Sequence, residues 1–245
     1  MSRATEALPR KSPEDAGRRR RLPIGAEVRG GRIDFRVWAS ERQAVQLVIE
    51  HPQADAIAMT GEEGGYFSAV TADPGGPVLY RFRLDEEETL VPDPASRFQH
   101  DGPHGPSEVI DPTRFAWTDR NWRGPALLGQ IIYEMHIGTF TPEGTWQAAA
   151  RELPELAAAG IGLIEVMPIA DFPGRFGWGY DGVDLFAPTR LYGRPDDFRR
   201  FVDAAHQLGI GVILDVVYNH LGPDGNYLPS FPPAYFTDRY KCDWG

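Results

Sequence analysis

The sequence predicts two domains, an antiparallel β-sandwich followed by a parallel α/β sheet, and two observations predict this fold class. Short apolar alternations of period two, broken by glycine, occupy residues 23–84 and are typical of strands joined by tight turns. After residue 129 the pattern becomes strand, helix, strand, helix, strand, which indicates parallel strands joined by right-handed crossovers. Apolar residues make up 42% and charged residues 24% of the chain, a composition that excludes disorder and collagen.

Four strands are predicted in the first domain, and their spacing, with glycine and proline turns between them, indicates a small β-sandwich. A proline-rich connector follows and reaches to about Trp122. We therefore expect a disordered tail over residues 1–22, the sandwich over residues 23–122 and the α/β domain over residues 123–245. The four strands are expected at residues 32–38, 44–49, 66–70 and 78–84.

The second domain is predicted as three strands and two helices. Thr145 and Pro195 mark the helix starts, and an apolar stripe follows each of them. Pro154 is expected to kink the first helix, and glycines at 160 and 209 fit the helix ends. The strands are expected at residues 131–135, 161–167 and 212–217.

The net charge of −10 is unevenly distributed, since residues 1–22 carry +4 and the remainder carries −14. The acidic part of the chain after residue 22 repels nucleic acid and anionic lipid, so we expect neither nucleic acid nor a membrane as partner. The arginine run at 18–21 lacks interleaved aromatic residues and is interpreted as part of a solvated tail. The single cysteine, Cys242, cannot form an internal disulfide, and no apolar run resembles a membrane span or secretion signal. We therefore expect a cytoplasmic protein.

Polar side chains follow the predicted strands at their carboxyl ends, where parallel α/β domains place their reaction clefts. Asp215 lies in an apolar run, and a carboxylate there needs a cationic or hydrogen-bonding partner. Three polar residues at one strand end serve no packing purpose, which favours a functional role. The candidates are Trp178, Tyr180 and Asp181 after the second strand, and Asp215, Asn219 and His220 at the third.

Residues 215–220, DVVYNH, resemble the first signature region of the α-amylase family of glycoside hydrolases. The resemblance implies that the sandwich is the amino-terminal module of such enzymes, and that the second domain is the first three βα units of a TIM (β/α)8 barrel. Four further segments are similar to the maltooligosyltrehalose trehalohydrolases of that family, and two segments extend the resemblance into the sandwich. The four are residues 133–145, 167–174, 178–183 and 222–228, and the two are residues 35–39 and 92–97.

The resemblance also implies an activity, the hydrolysis of α-1,4-glucans with retention of configuration, and most specifically the release of trehalose from maltooligosyltrehalose. It implies that Asp215 orients an arginine beside the nucleophile and that His220 hydrogen-bonds the sugar under attack. Tyr180 would stack under the ring of that sugar, and Trp178 and Asp181 would shape the same subsite.

The resemblance also implies that the catalytic carboxylates are absent, because the family holds them in later signature regions, beyond the third strand of the barrel. About 115 residues follow Gly129, whereas an eight-unit barrel needs roughly 250, so three strands fit and the barrel is truncated. The nucleophile and the general acid are therefore expected beyond Gly245, and the isolated chain is expected to be inactive. Asn219 binds calcium in some relatives, but the sequence supplies no other ligands, so no metal and no cofactor is expected.

Three alternatives stay open. One is a glycogen branching or debranching enzyme. Such enzymes share the domain architecture, but fewer of the quoted sequence segments resemble theirs. Another is a noncatalytic glucan-binding fragment, which the absent carboxylates favour for the isolated chain. A third concerns Glu134 and Glu165, which lie within predicted strands. They could be catalytic carboxylates or a structural pair of carboxylates, and the sequence favours neither interpretation.

Overall fold

The computed structural model describes residues 20–237 and Arg239. Most of the predicted tail, residues 1–19, and the single cysteine, Cys242, lie outside the described residues. None of the helices in the described part of the chain is long and apolar enough to cross a membrane.

The first domain consists of two antiparallel sheets. The first sheet has the order β1-β2-β6-β5, and the second has the order β4-β3-β7-β8 with β9 also paired to β7. The predicted strands correspond to β2, β3, β6 and β7, and the others were not predicted. The strands are β1 (Gly25–Arg29), β2 (Arg32–Trp38), β3 (Val45–His51), β4 (Asp55–Ala58), β5 (Thr60–Glu62), β6 (Tyr66–Ala72), β7 (Leu79–Leu84), β8 (Leu90–Val91) and β9 (Ser107–Glu108).

The sandwich core is built from the inward side chains of alternating strands. Strand β2 buries every second residue, including Phe35, and β7 does the same with Tyr80 and Phe82. The Phe35 and Tyr80 rings meet edge to face at 4.8 Å, a favoured aromatic geometry. The Tyr80 hydroxyl donates to the buried carboxylate of Asp93 at 2.6 Å, which satisfies the one polar atom that this ring brings into the core.

The end of the predicted tail is ordered against this domain, which differs from the prediction of a solvated segment reaching residue 22. Arg20 donates to the Asp34 carboxylate at 2.6 Å, and Arg21 donates from its backbone and its side chain to Glu27. Glu27 and Asp34 are acidic residues on β1 and β2 that need cationic partners because they are largely buried. Arg20 and Arg21 therefore belong structurally to the sandwich.

The second domain contains a three-stranded parallel sheet in the order β10-β11-β14, with two helices packed on one face. A short antiparallel pair, β12 and β13, and a single helical turn, α1, accompany it. The elements are β10 (Ile132–Met135), α1 (Ile137–Phe140), α2 (Trp146–Ala158), β11 (Leu163–Val166), β12 (Ala170–Asp171), β13 (Asp184–Pro188), α3 (Pro195–Gln207) and β14 (Gly211–Leu214).

Both helices begin where the sequence predicted. The Thr145 hydroxyl accepts from the amide of Ala148 and caps α2, and α3 opens with Pro195 in its first turn. Helix α2 continues through Pro154 as one element, so the proline does not end it. Trp146 of α2 is fully buried and stacks on Phe198 of α3 at 4.4 Å, which joins the two helices.

The third strand is shorter than predicted. It ends at Leu214, so Asp215 follows the strand and is only partly buried, whereas the sequence placed it inside a buried strand. Ile213 and Leu214 are 37% and 40% exposed because β14 is an edge strand of an open sheet. In the described part of the chain the parallel sheet is therefore open at β14.

The last described residues return to the first domain. Phe231 is buried in the sandwich core, and Tyr227 and Tyr235 pack around it. The Ser230 carbonyl accepts from the Arg42 guanidinium at 3.0 Å, which fixes the crossing segment. The sandwich core is therefore completed by residues that follow the third parallel strand, a long-range contact that the sequence analysis did not find.

Candidate functional site

Three carboxylates share the uncovered face of the parallel sheet. Glu134 of β10 is in register with Glu165 of β11, and Asp215 follows Ile213, the register partner of Glu165 on β14. Alternate residues of a strand point to the same side, so all three side chains lie on the face opposite the helices. The backbone amide of Asp215 continues the ladder by donating to the Val166 carbonyl at 2.9 Å. This acidic edge lies at the carboxyl ends of the strands.

The side chain of Tyr180 lies over this edge. Its hydroxyl donates to Asp215 Oδ2 at 3.2 Å, which supplies the hydrogen-bonding partner that a carboxylate in this place requires. Burial raises the pKa of Tyr180, and the nearby carboxylates of Asp215, Glu134 and Glu165 raise it further because they disfavour a phenolate. The phenol therefore stays protonated, keeps its donor, and presents an aromatic ring that is 38% exposed.

Tyr180 belongs to a loop, residues 172–182, whose shape depends on close backbone contacts. Gly179 has φ +90°, and a β-carbon there would lie 1.8 Å from the Pro168 carbonyl oxygen, so only glycine fits. The Gly177 carbonyl accepts from His136 Nε2 at 3.0 Å. A carbonyl can only accept, so His136 Nε2 carries the hydrogen, and Nδ1 lies 2.9 Å from the Thr139 hydroxyl. His136, which follows the first strand, therefore supports the middle of the loop.

The other predicted residues of this loop are accessible. Trp178 is 72% exposed, and Asp181 is exposed next to Tyr180. Phe176, which the sequence analysis did not single out, is 91% exposed on the same loop. A loop that presents aromatic rings at alternate positions can contact the apolar faces of sugar rings.

Asn219 and His220 lie beyond the third strand and contact each other. The Asn219 side-chain amide lies 3.0 Å from His220 Nδ1, and an amide N–H donates in this arrangement. Nδ1 then accepts, and the neutral ring carries its hydrogen on Nε2. The structure brings Tyr180 and Asp215 together directly, whereas Asn219 and His220 form a separate pair on the following segment.

A buried charge cluster at the base of the loop joins Asp171, a polar residue that follows the second predicted strand, to Arg190 and Asp184, which sequence reasoning did not single out. Asp171 is fully buried and accepts two hydrogen bonds from Arg190 Nη1, at 2.9 and 3.0 Å. Asp184 is also buried, and its Oδ2 has no hydrogen-bond partner among the residues that the structure describes. Burial raises the pKa of Asp184 well above its usual range, and the neighbouring Asp171 and Asp93 carboxylates raise it further. Nothing in the local sequence around Asp171 identifies Arg190 as its partner.

The donor set of the described residues does not form a metal centre. Within residues 20–237 and Arg239, no group of three or more His, Cys, Asp and Glu side chains is arranged to hold a metal ion. Asn219 has His220 as its neighbour rather than a set of oxygen ligands.

Two family profiles match the chain. One, described as the α-amylase catalytic domain, matches residues 109–232. The other, described as carbohydrate-binding module 48 or the isoamylase N-terminal domain, matches residues 23–112. The two matches cover the parallel sheet and the sandwich respectively.

Individual proteins are also similar to the chain. A malto-oligosyltrehalose trehalohydrolase of Deinococcus radiodurans is 49% identical over 91% of the chain, which covers 36% of that protein. A 1,4-α-glucan branching enzyme of Xanthomonas oryzae is 34% identical over 83% of the chain and 30% of that protein. A solved structure assigned to an α-amylase from Salmonella typhimurium has a TM-score of 0.84 at 45% identity, over 91% of this chain and 38% of that one. The chain thus spans about a third of the length of the curated relatives that it matches.

Proposed function

Because the chain belongs to the α-amylase family, we propose that it is part of a glycoside hydrolase that releases trehalose from maltooligosyltrehalose. The similarity to trehalohydrolases at 49% identity supports the substrate, an α-1,4-glucan with a trehalose end. The observation that carries the proposal is the hydrogen bond between Tyr180 and Asp215, which holds an exposed ring over the carboxyl ends of the strands. That edge is where enzymes with parallel α/β sheets bind their substrates.

In this proposal the described residues bind and orient the sugar. The Tyr180 ring contacts the apolar face of the sugar whose bond is cleaved, and its bond to Asp215 fixes the height of that ring above the sheet. His220 Nε2 carries the hydrogen while Asn219 holds Nδ1, so the ring can donate to a sugar hydroxyl. Trp178 and Asp181 extend the same surface along the loop.

The bond-breaking step requires two carboxyl groups about 5 Å apart, one attacking the anomeric carbon and one protonating the leaving oxygen. Asp215 serves in this proposal as an orienting acceptor for an arginine, and the nucleophile and acid belong to later segments of the family's barrel. The exposed carboxylate of Glu134 and the half-buried one of Glu165 share the sheet face with Asp215 and supply negative potential beside an oxocarbenium-like transition state.

Sugar binding by the chain itself tests the proposed site. We expect maltoheptaose to bind, with calorimetric affinity about tenfold weaker in Tyr180→Ala, because losing about 50 Å² of apolar contact costs roughly 1 kcal/mol. Tyr180→Phe retains the ring and loses the bond to Asp215, so it separates stacking from positioning. Trp117→Ala is the matched control, since Trp117 is 39% exposed and its ring packs on Phe115 rather than on the loop that carries Tyr180. Equal weakening by Tyr180→Ala and Trp117→Ala would contradict the site.

Product analysis tests the reaction. A gene product that contains the complete barrel should release free trehalose from maltooligosyltrehalose, and both His220→Ala and Tyr180→Ala should lower turnover without unfolding it. The 34% identity to a branching enzyme makes branch transfer the second candidate, and transfer of an α-1,6 branch without trehalose would favour it. The 245-residue chain alone should release no trehalose. Release by that chain would redirect the assignment of catalysis to Glu134, Glu165 or Asp181.

We also propose that the enzyme works in the cytoplasm. The chain has one cysteine, and its fold depends on buried apolar cores rather than on internal disulfides, so a reducing compartment does not weaken it. Fractionation of cells that express a tagged gene product would test this location.

A further inference from the structure

Arg190 contacts the aromatic loop at its first residues. Its guanidinium donates to both oxygens of Asp171, to the Phe172 carbonyl at 3.3 Å and to the Gly174 carbonyl at 3.2 Å. These are charge-assisted hydrogen bonds, which are stronger and more directional than neutral ones. Other hydrogen bonds hold the loop from its middle onward: His136 Nε2 donates to the Gly177 carbonyl, the Tyr180 hydroxyl donates to Asp215, and the Gly222 amide donates to the Gly182 carbonyl. The described hydrogen bonds to the loop backbone before Gly177 come from the guanidinium of Arg190, so its position bears directly on the conformation of these residues.

The other side of the same guanidinium faces the sandwich. A β-carbon on Gly102 would lie 2.8 Å from Arg190 Cζ, so the Gly102 backbone and the guanidinium are in direct contact. Gly102 is buried and has φ +89°, and its carbonyl accepts from the side chain of Gln99, which is fully buried. The sandwich thus presents a rigid turn that limits how far Arg190 can move away from the loop.

We propose that Arg190, held from behind by Gly102 of the sandwich, is a positioning residue that fixes the sugar-binding loop of the parallel domain. The proposal rests on the proposed function for the role of Trp178 and Tyr180, but the clamp itself is independent of it. It gives the sandwich a part in the reaction other than binding glucan: its turn sets the position of the loop. Sugar affinity should then depend on a sandwich residue that cannot reach the sugar.

Local proteolysis tests the clamp in the full 245-residue chain without any sugar. Chymotrypsin cleavage after Phe176, followed by mass spectrometry, requires the loop to open near an exposed aromatic residue. Gly102→Ala pushes the guanidinium from the sandwich side, and Arg190→Lys keeps the charge but loses the planar fork. We expect each variant to be cleaved at least about tenfold faster at this bond, as the loss of a charge-assisted hydrogen bond predicts.

Gly75→Ala is the matched control. Gly75 also belongs to the sandwich and has φ +78°, so alanine there meets the same backbone strain, but no atom lies within 4 Å of the added β-carbon. Its cleavage after Phe176 should equal that of the parent chain. If Gly102→Ala fails to fold, the Arg190→Lys variant, which introduces no clash, decides the question by the same cleavage.

The double variant Gly102→Ala with Arg190→Lys separates positioning from general destabilisation. Since the Gly102→Ala change acts by displacing the guanidinium, adding it to Arg190→Lys should change the rate less than about twofold, whereas independent effects would multiply. Multiplied rates, or Gly102→Ala cleaved like Gly75→Ala, would overturn the proposal. Maltoheptaose affinity measured by calorimetry should fall with the same pattern. If the parent chain binds no maltoheptaose, the proposed sugar site is wrong, and the cleavage rates alone decide the clamp.

Discussion

Asp184 offers a quantitative test of the buried charge cluster. Its side chain is buried, its Oδ2 lacks a hydrogen-bond partner within the described part of the chain, and Asp171 and Asp93 add like charges nearby. An unsatisfied buried polar atom costs about 1–3 kcal/mol, and a charged one costs more. Asp184→Asn keeps the shape but cannot ionise, so it removes the free-energy cost of holding a charge, or of taking up a proton in its place, at this buried position. We therefore expect the variant to be more stable than the parent chain at pH 7.5, by roughly 1–3 kcal/mol in the free energy of unfolding.

The pH dependence of this difference follows from the sign of the shift. The folded-state pKa of Asp184 is raised, so between the unfolded and folded pKa values the folded chain holds a proton that the unfolded chain has lost. Stability therefore falls as pH rises through that interval, at about 1.4 kcal/mol per pH unit, and stays reduced above the folded pKa. Below the unfolded pKa both states are protonated and the penalty disappears. The advantage of Asp184→Asn should thus be small at pH 4.5 and larger at pH 7.5.

Urea denaturation of the 245-residue chain at several pH values measures both quantities. Asp181→Asn is the matched control, because Asp181 is an exposed carboxylate on the adjoining loop and should leave stability unchanged at every pH. Asp171→Asn should lower stability, since it removes the partner of a guanidinium. A stability difference between parent and Asp184→Asn that is independent of pH would refute the reasoning that Asp184 binds its proton in the folded chain.

Three further outcomes are expected. Phe231→Ala should lower the stability of the sandwich by about 3–5 kcal/mol, measured by urea denaturation, although this residue follows the third parallel strand; an unchanged midpoint would show that the crossing segment does not complete the core. Trp146→Ala should destabilise the parallel domain by a similar amount and leave amide exchange in β2 and β7 slow, whereas loss of protection in both domains would mean that they unfold together. Ile213→Lys should reduce self-association at high concentration, measured by light scattering, because it places a charge on the exposed face of the edge strand β14; a parent chain that stays monomeric would contradict this.

Local patterns predicted the elements whose side chains alternate or whose ends are marked by caps. Strand β2 has the predicted bounds because its buried and half-buried residues alternate along its length. The helices start at Thr145 and Pro195 because a hydroxyl cap and a first-turn proline are local signals. Strands β4 and β5 were not predicted because their residues are mostly exposed, so backbone pairing to β3 and β6 holds them without an apolar pattern.

The candidate site likewise combines residues that the sequence could predict with contacts that it could not. Tyr180 and Asp215 could be placed at one edge of the sheet because each follows a predicted strand and parallel strands bring their ends together, and the structure shows a hydrogen bond between them. The partnership of Arg190 with Asp171 joins residues 19 positions apart, and its contact with Gly102 joins two domains. Such contacts leave no periodicity in the sequence. Phe231 was missed for the same reason, since its burial depends on a core built more than a hundred residues earlier.

The sheet face opposite the helices changes from apolar to acidic side chains along the strands, and this change limits which segments can pack on it. At the amino-terminal end of the strands the face is apolar, with the exposed Ile132 in register with Leu163, which is buried. One layer further along come Glu134 and Glu165, and beyond them Asp215, whose described partner is a phenol rather than a cation. A segment that covers the apolar layer gains from burial, whereas one that covers the three carboxylates must bring positive charge or hydrogen-bond donors. The acidic side chains of this face therefore lie at the edge beneath Tyr180. An arginine that packs there would be stabilised by the negative charge of Asp215.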